Sequence, residues 1–174
     1  LTHLADYLEE FERNARANGV HVHWARDAAE HNQTVLDLLR ARGATTLVKS
    51  KSMLTEECDM RPFLEKRGVT VIETDLAERI QQLDDEPPSH IIAPAVHLTK
   101  DQVADTFLEH HSKLGFTKRL TERNDLVAEA RYVLRQKFLD ADVGLTGANF
   151  LVAETGSSML VTNEGNADLS NTLP

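Results

Sequence analysis

The chain has 174 residues, 41% of them apolar and 27% charged, with 8 Gly and 5 Pro, which is the composition of a globular protein with one core of ordinary size. A formal charge of −9 argues against non-specific nucleic-acid binding, which rests on cations neutralising phosphates. Cys58 is the only cysteine, so this chain alone forms no intrachain disulfide and holds no cluster that needs four thiolates.

Residues 1–18 are expected to form an N-terminal helix, with Leu4, Leu8, Phe11 and Ala15 on one face and Gly19 ending it. Val20-His21-Val22-His23-Trp24 alternates as a strand does. Asp27, followed three residues later by Glu30, predicts a capped helix through Arg42, and Gly43 closes it. A strand at 45–49 follows. Thr55 as cap, acidic Glu56 and Glu57, basic Lys66 and Arg67, and then Gly68 predict one helix. Next come a strand at 69–73, a helix over 75–83, a loop with Pro87-Pro88, and an apolar run His90-Ile91-Ile92-Ala93-Pro94.

Thr99 and Gln102 predict a capping box for a helix reaching Leu114, and a longer helix spans 121–139 with Val127, Ala130, Leu134 and Phe138 as its stripe. Short apolar runs at 143–147, 150–154 and 158–162 follow, with a hairpin across Thr155-Gly156. The fold class expected is α/β: a mostly parallel sheet with flanking helices plus a C-terminal antiparallel hairpin, since alternating strands and helices favour parallel pairing.

No apolar run approaches the roughly 18–20 residues that span a bilayer, and the first six residues lack a signal peptide's basic and apolar regions, which points to the cytoplasm. Position 1 is not Met and the chain stops soon after its hairpin, so a fragment truncated on the C-terminal side is expected.

Ligands of open α/β sheets sit beyond the C-terminal strand ends. There Lys49-Ser50-Lys51-Ser52 offers hydroxyls and two cations to an anion, against the plainer reading of a solvated loop. Three Gly-containing polar turns, Thr146-Gly147-Ala148-Asn149, Glu154-Thr155-Gly156-Ser157 and Asn163-Glu164-Gly165-Asn166, permit close backbone approach to a ligand, although hairpins use the same residues. The anion- or substrate-binding candidates are therefore Lys49, Ser50, Lys51, Thr146, Gly147, Asn149, Thr155, Gly156, Asn163, Gly165 and Asn166. Glu154 and Glu164, each ending an apolar run, are the acid-base candidates. No metal site is expected: His21 and His23 share one strand face, and His110 and His111 point apart on a helix. Cys58 reads as a structural thiol.

The stretches Lys49 to Glu57, Glu86 to Ala95 and Asp140 to Asn166, above all 141–150, 153–156 and 161–166, resemble the lactate-utilisation protein B family. Essentially all of residues 1–174 is similar to that family's N-terminal LUD domain. The resemblance implies a NagB/RpiA/CoA transferase-like fold, a cytoplasmic complex with two other proteins, and oxidation of L-lactate to pyruvate. It also implies two [4Fe-4S] clusters in a C-terminal ferredoxin-like module absent from this sequence, and no established catalytic residue. Read this way, the domain binds a small carboxylate, or a phosphate-bearing ligand, within an iron-sulfur complex. The alternatives are a docking scaffold without its own chemistry and an acyl- or CoA-transferase-like enzyme using Glu154 or Glu164. Cofactors are expected only outside this fragment, which alone is expected to be inactive.

Overall fold

The computed structural model describes residues 2–87, 89, 93–162 and 164–174. The first helix, α1 (Leu4–Ala17), forms as expected and buries Ala15 completely. The segment after it does not become a strand: Val20 and Trp24 stay about half exposed. Instead it folds back along α1, where the Trp24 indole donates to Glu12 at 2.9 Å and Arg16 donates to the Val22 carbonyl at 3.0 Å. Local side-chain bonds have taken the place of sheet pairing.

Asp27 caps α2 (Ala28–Ala41) by accepting from the Glu30 amide. Strand β1 (Thr46–Lys49) follows. The single helix expected from Thr55 is two short ones, α3 (Met53–Glu57) and α4 (Met60–Glu65), separated at Asp59, which adopts a left-handed φ of 49°. Pro62 is the reason, because a proline inside a continuous helix removes an amide and clashes with the carbonyl four residues back. Restarting at Met60 moves Pro62 into a first turn, where the missing amide costs nothing. Thr55 caps nothing; its hydroxyl donates to the Ser52 carbonyl at 2.7 Å.

Strand β2 (Thr70–Glu73) leads to α5 (Leu76–Leu83), whose cap is Asp75. The expected run at 90–94 lies outside the described residues at His90, Ile91 and Ile92. Helix α6 (Lys100–His111) starts with the predicted Thr99–Gln102 capping box. Helix α7 (Arg123–Asp140) comes next, then β3 (Val143–Leu145), β4 (Phe150–Val152), β5 (Ser157–Met159) and the unanticipated α8 (Asn166–Thr172).

The sheet is parallel in the order β2-β1-β3, with Val48 beside both Ile72 and Gly144, and β4-β5 is an antiparallel hairpin. This is the α/β class expected. One face carries Leu47 and Val71 against Leu36, Leu39, Met60 and Leu64 of α2 and α4. The other carries Val48 and Ile72 against Leu134 and Phe138 of α7. A third cluster joins Ile80 of α5 to Phe107 of α6 and Leu126 and Ala130 of α7. Nearby, His111 and Glu129 form a buried pair at 2.8 Å. Asp142 accepts from the Thr45 and Thr46 amides at 2.8 and 2.9 Å, aligning β3 with β1. Among the described residues no helix is long and apolar enough to cross a membrane.

Two glycines permit close packing. Gly144 faces α8, and a Cβ there would collide with the Ser170 carbonyl. Gly156, at φ 66°, sits against the Asn14–Ala15 backbone of α1. Gly144→Ala is therefore expected to destabilise the fold by about 1–3 kcal/mol through overpacking. Gly147→Ala, where a Cβ meets only ordinary 3.5 Å contacts, should be close to neutral. Thermal denaturation of the two variants side by side measures the difference.

Candidate functional site

β1 and β3 are neighbours, so the segments leaving Lys49 and Leu145 run together at one end of the sheet. The Ser50 amide donates to the Leu145 carbonyl at 2.9 Å, holding the two segments in contact. A cavity of about 680 Å³ opens beside them. Ser50, Lys51, Ser52 and Thr55 line one wall, and Thr146, Gly147 and Asn149 another. Thr162, Glu164 and Asn166 complete the lining, together with His31 of α2 and Asp75, the cap of α5. This is the location at which parallel α/β sheets offer ligand space.

Asn149 is fixed at both ends: its amide donates to the Met159 carbonyl at 2.9 Å and its side-chain oxygen accepts from the Val161 amide at 2.8 Å. It shapes the wall by tying the β3–β4 connection to the hairpin's exit. Glu164 stands near Asp75. Burial, and then the Asp75 charge, raise its pKa above the ordinary carboxylate value, opposed by a hydrogen bond from the Leu76 amide and by the Lys51 charge. Gly165, at φ 81°, precedes α8, which Asn166 begins.

Lys49 does not line this cavity. Its side chain turns to the α2/α4 face and is closed off from water, with its ammonium 2.7 Å from Glu56, 2.9 Å from Glu73 and 3.7 Å from Glu78. Burial alone would lower the lysine's pKa, but the charges of Glu73, Glu78 and Glu56 outweigh it and the net direction is upward. Burial also raises Glu73 against the pull of Lys49, and pushes Glu78 up to about 8. These three glutamates place carboxylate oxygens within 4.8 Å of one another and are, among the described residues, the group suited to a hard cation. The Lys49 ammonium already serves them as a cation.

The second Gly-containing turn lies elsewhere. Asn14 of α1 donates to the Ala153 and Glu154 carbonyls, and Asn18 donates to the Thr155 carbonyl. Glu154, Thr155 and Gly156 thus dock the hairpin on α1, away from the cavity. Asn163 lies outside the described residues. Seven of the expected site residues line one cavity: Ser50, Lys51, Thr146, Gly147, Asn149, Glu164 and Asn166.

Comparison with known proteins gives the family. Residues 8–174 match the model of the LUD domain. The chain belongs to that family. Lactate utilization protein B of Anoxybacillus flavithermus is 51% identical over 176 residues, and its Bacillus pumilus counterpart is 48% identical over 175. The Bacillus subtilis protein of the same name is 46% identical over 175 residues. Each match covers 100% of this chain, and the chain spans 36% of the length of those relatives. No solved structure matches the chain.

Sequence reading missed two features of this LUD domain. The carboxylates around Lys49 had a readable signal: Leu47 and Lys49 share a strand face, as do Val71 and Glu73, and parallel register sets the two polar ends side by side. His31 had none, because only the packing of α2 against the strand ends brings it to the cavity.

Two outcomes follow for the buried cluster. Lys49→Met strands buried carboxylates and is expected to cost about 3–5 kcal/mol in chemical denaturation. For Glu78, a folded pKa of about 8 above an ordinary 4.5 means its contribution is complete below about pH 4.5 and is lost as pH rises toward 8. Urea midpoints should therefore fall less between pH 5 and 8 in Glu78→Gln than in the unsubstituted protein.

Proposed function

We propose that this LUD domain serves lactate utilisation by holding a small carboxylate, with L-lactate foremost, in the cavity beyond β1 and β3. The supporting observation is the convergence of Lys51, Ser50 and Thr146 on that cavity, where a cation and hydroxyls can meet a carboxylate. The name of the relatives, lactate utilization protein B, supplies the substrate class. L-Lactate gives up two electrons and two protons in becoming pyruvate. In the reading proposed here the electrons leave through two [4Fe-4S] clusters in the part of the full-length protein outside this chain, within a cytoplasmic complex containing two other proteins. The present residues do not fit a cluster: Cys58, half-buried at the end of α3, is the only thiol, and each cluster takes four.

A second reading, a docking scaffold without chemistry of its own, is favoured by an apolar groove between α7 and α8 lined by Leu134, Phe138, Leu169 and Leu173. A transferase acting through a strand-end glutamate would have Glu164 alone at the cavity, already engaged with the Leu76 amide.

Calorimetric titration and thermal-shift measurements with L-lactate, pyruvate and inorganic phosphate test the proposal, since a ligand of the folded state stabilises it by mass action. Selective binding of L-lactate or pyruvate is expected, weakened about tenfold in Lys51→Ala by loss of one charge-assisted hydrogen bond. Glu154→Gln, remote from the cavity, should leave it unchanged. A flat response to both acids overturns the reading.

A further inference from the structure

His31 lines the cavity from the second turn of α2, and its neighbour Asn32 is buried beneath it. Asn32 donates from Nδ2 to the Cys58 carbonyl at 2.6 Å. A carbonyl only accepts, so the atom facing it must be the amide nitrogen, and the orientation of the Asn32 side chain is settled by chemistry. Its Oδ1 therefore faces the other way, 3.0 Å from His31 Nδ1. An amide oxygen also only accepts, so Nδ1 must carry the proton. In the neutral imidazole the remaining nitrogen then has a free lone pair. Nε2 has no hydrogen-bond partner among the described residues.

The Cys58 carbonyl, Asn32 and His31 thus form a relay of fixed polarity running from the end of α3 to the cavity. We infer that His31 Nε2 is an acceptor held ready for a hydroxyl of the ligand, and that Asn32 is the residue that positions it. The inference rests on the proposed carboxylate site and deepens it. A ligand anchored by its carboxylate at Lys51 and donating a neighbouring hydroxyl to Nε2 satisfies both groups, whereas the same acid without the hydroxyl leaves Nε2 unpaired. The cavity thereby selects hydroxy acids over plain carboxylates, because an acceptor left unpaired on desolvation penalises the analogue that lacks the donor.

Two measurements test this. Long-range ¹H–¹⁵N correlation spectra of the ligand-free domain report the imidazole tautomer directly. The Nδ1–H form is expected for His31, shifting toward Nε2–H in Asn32→Leu; an Nε2–H form in the unsubstituted protein overturns the relay. The second measurement compares the affinities of L-lactate and propionate, which is lactate without its hydroxyl. The domain is expected to prefer lactate by about tenfold, the worth of one hydrogen bond to a partner the ligand desolvates. His31→Ala should bring that ratio near one, by weakening lactate and by relieving the penalty on propionate. Equal binding of the two acids by the unsubstituted domain, or a ratio that survives His31→Ala, sinks the assignment of His31 and leaves the carboxylate site standing. Binding of neither acid overturns the carboxylate site itself, and the ligand assigned to His31 falls with it.

Discussion

The Lys49 ammonium, shut away from water among Glu56, Glu73 and Glu78, joins the end of β1 to β2, α3 and α5 at a single point. Apolar contacts on both sheet faces tolerate small slippage, but a buried cation and its carboxylates do not, since any displacement strands a charge in a medium that solvates it poorly. Such a cluster contributes little net stability compared with an apolar replacement. What it contributes is position: the next residues, Ser50 to Thr55, leave the strand from a fixed place, and they are one wall of the cavity.

The other walls are set by backbone bonds and close approach. Ser50 bonds to Leu145, Asn149 bonds to the exit of the hairpin, and Gly144 lets α8 settle on the sheet. Glu164 lies near Asp75 and the start of α5, whose Asp75 charge and Leu76 amide both act on its carboxyl. Polar residues at the strand ends thus divide the work. Some, such as Asn149, already spend hydrogen bonds on shape. Others, such as His31 Nε2, retain capacity for a ligand.

On the proposed reading, separate parts of the full-length protein carry separate tasks. The domain supplies a polar cavity that can hold and orient a small acid, and the chain spans 36% of relatives whose remaining length lies outside it.

The sequence by itself determined what local chemistry determines. Asp27 and the Thr99–Gln102 box cap their helices as read, because a cap is a contact between residues two or three apart. The parallel class was also legible, since alternation of strand and helix leaves few topologies, and the polar residues after β1 and β3 do line one cavity. Tertiary structure decided the rest. Val20 to Trp24 reads as a strand but has no partner and lies on α1, and Lys49 reads as a free cation but meets carboxylates seven, 24 and 29 residues away. The three similar Gly-containing turns diverge for the same reason: one packs on α1 through Asn14 and Asn18, while the flanking two meet at the cavity. Whether a polar side chain is spent or free depends on what folding brings opposite it, and no local pattern records that.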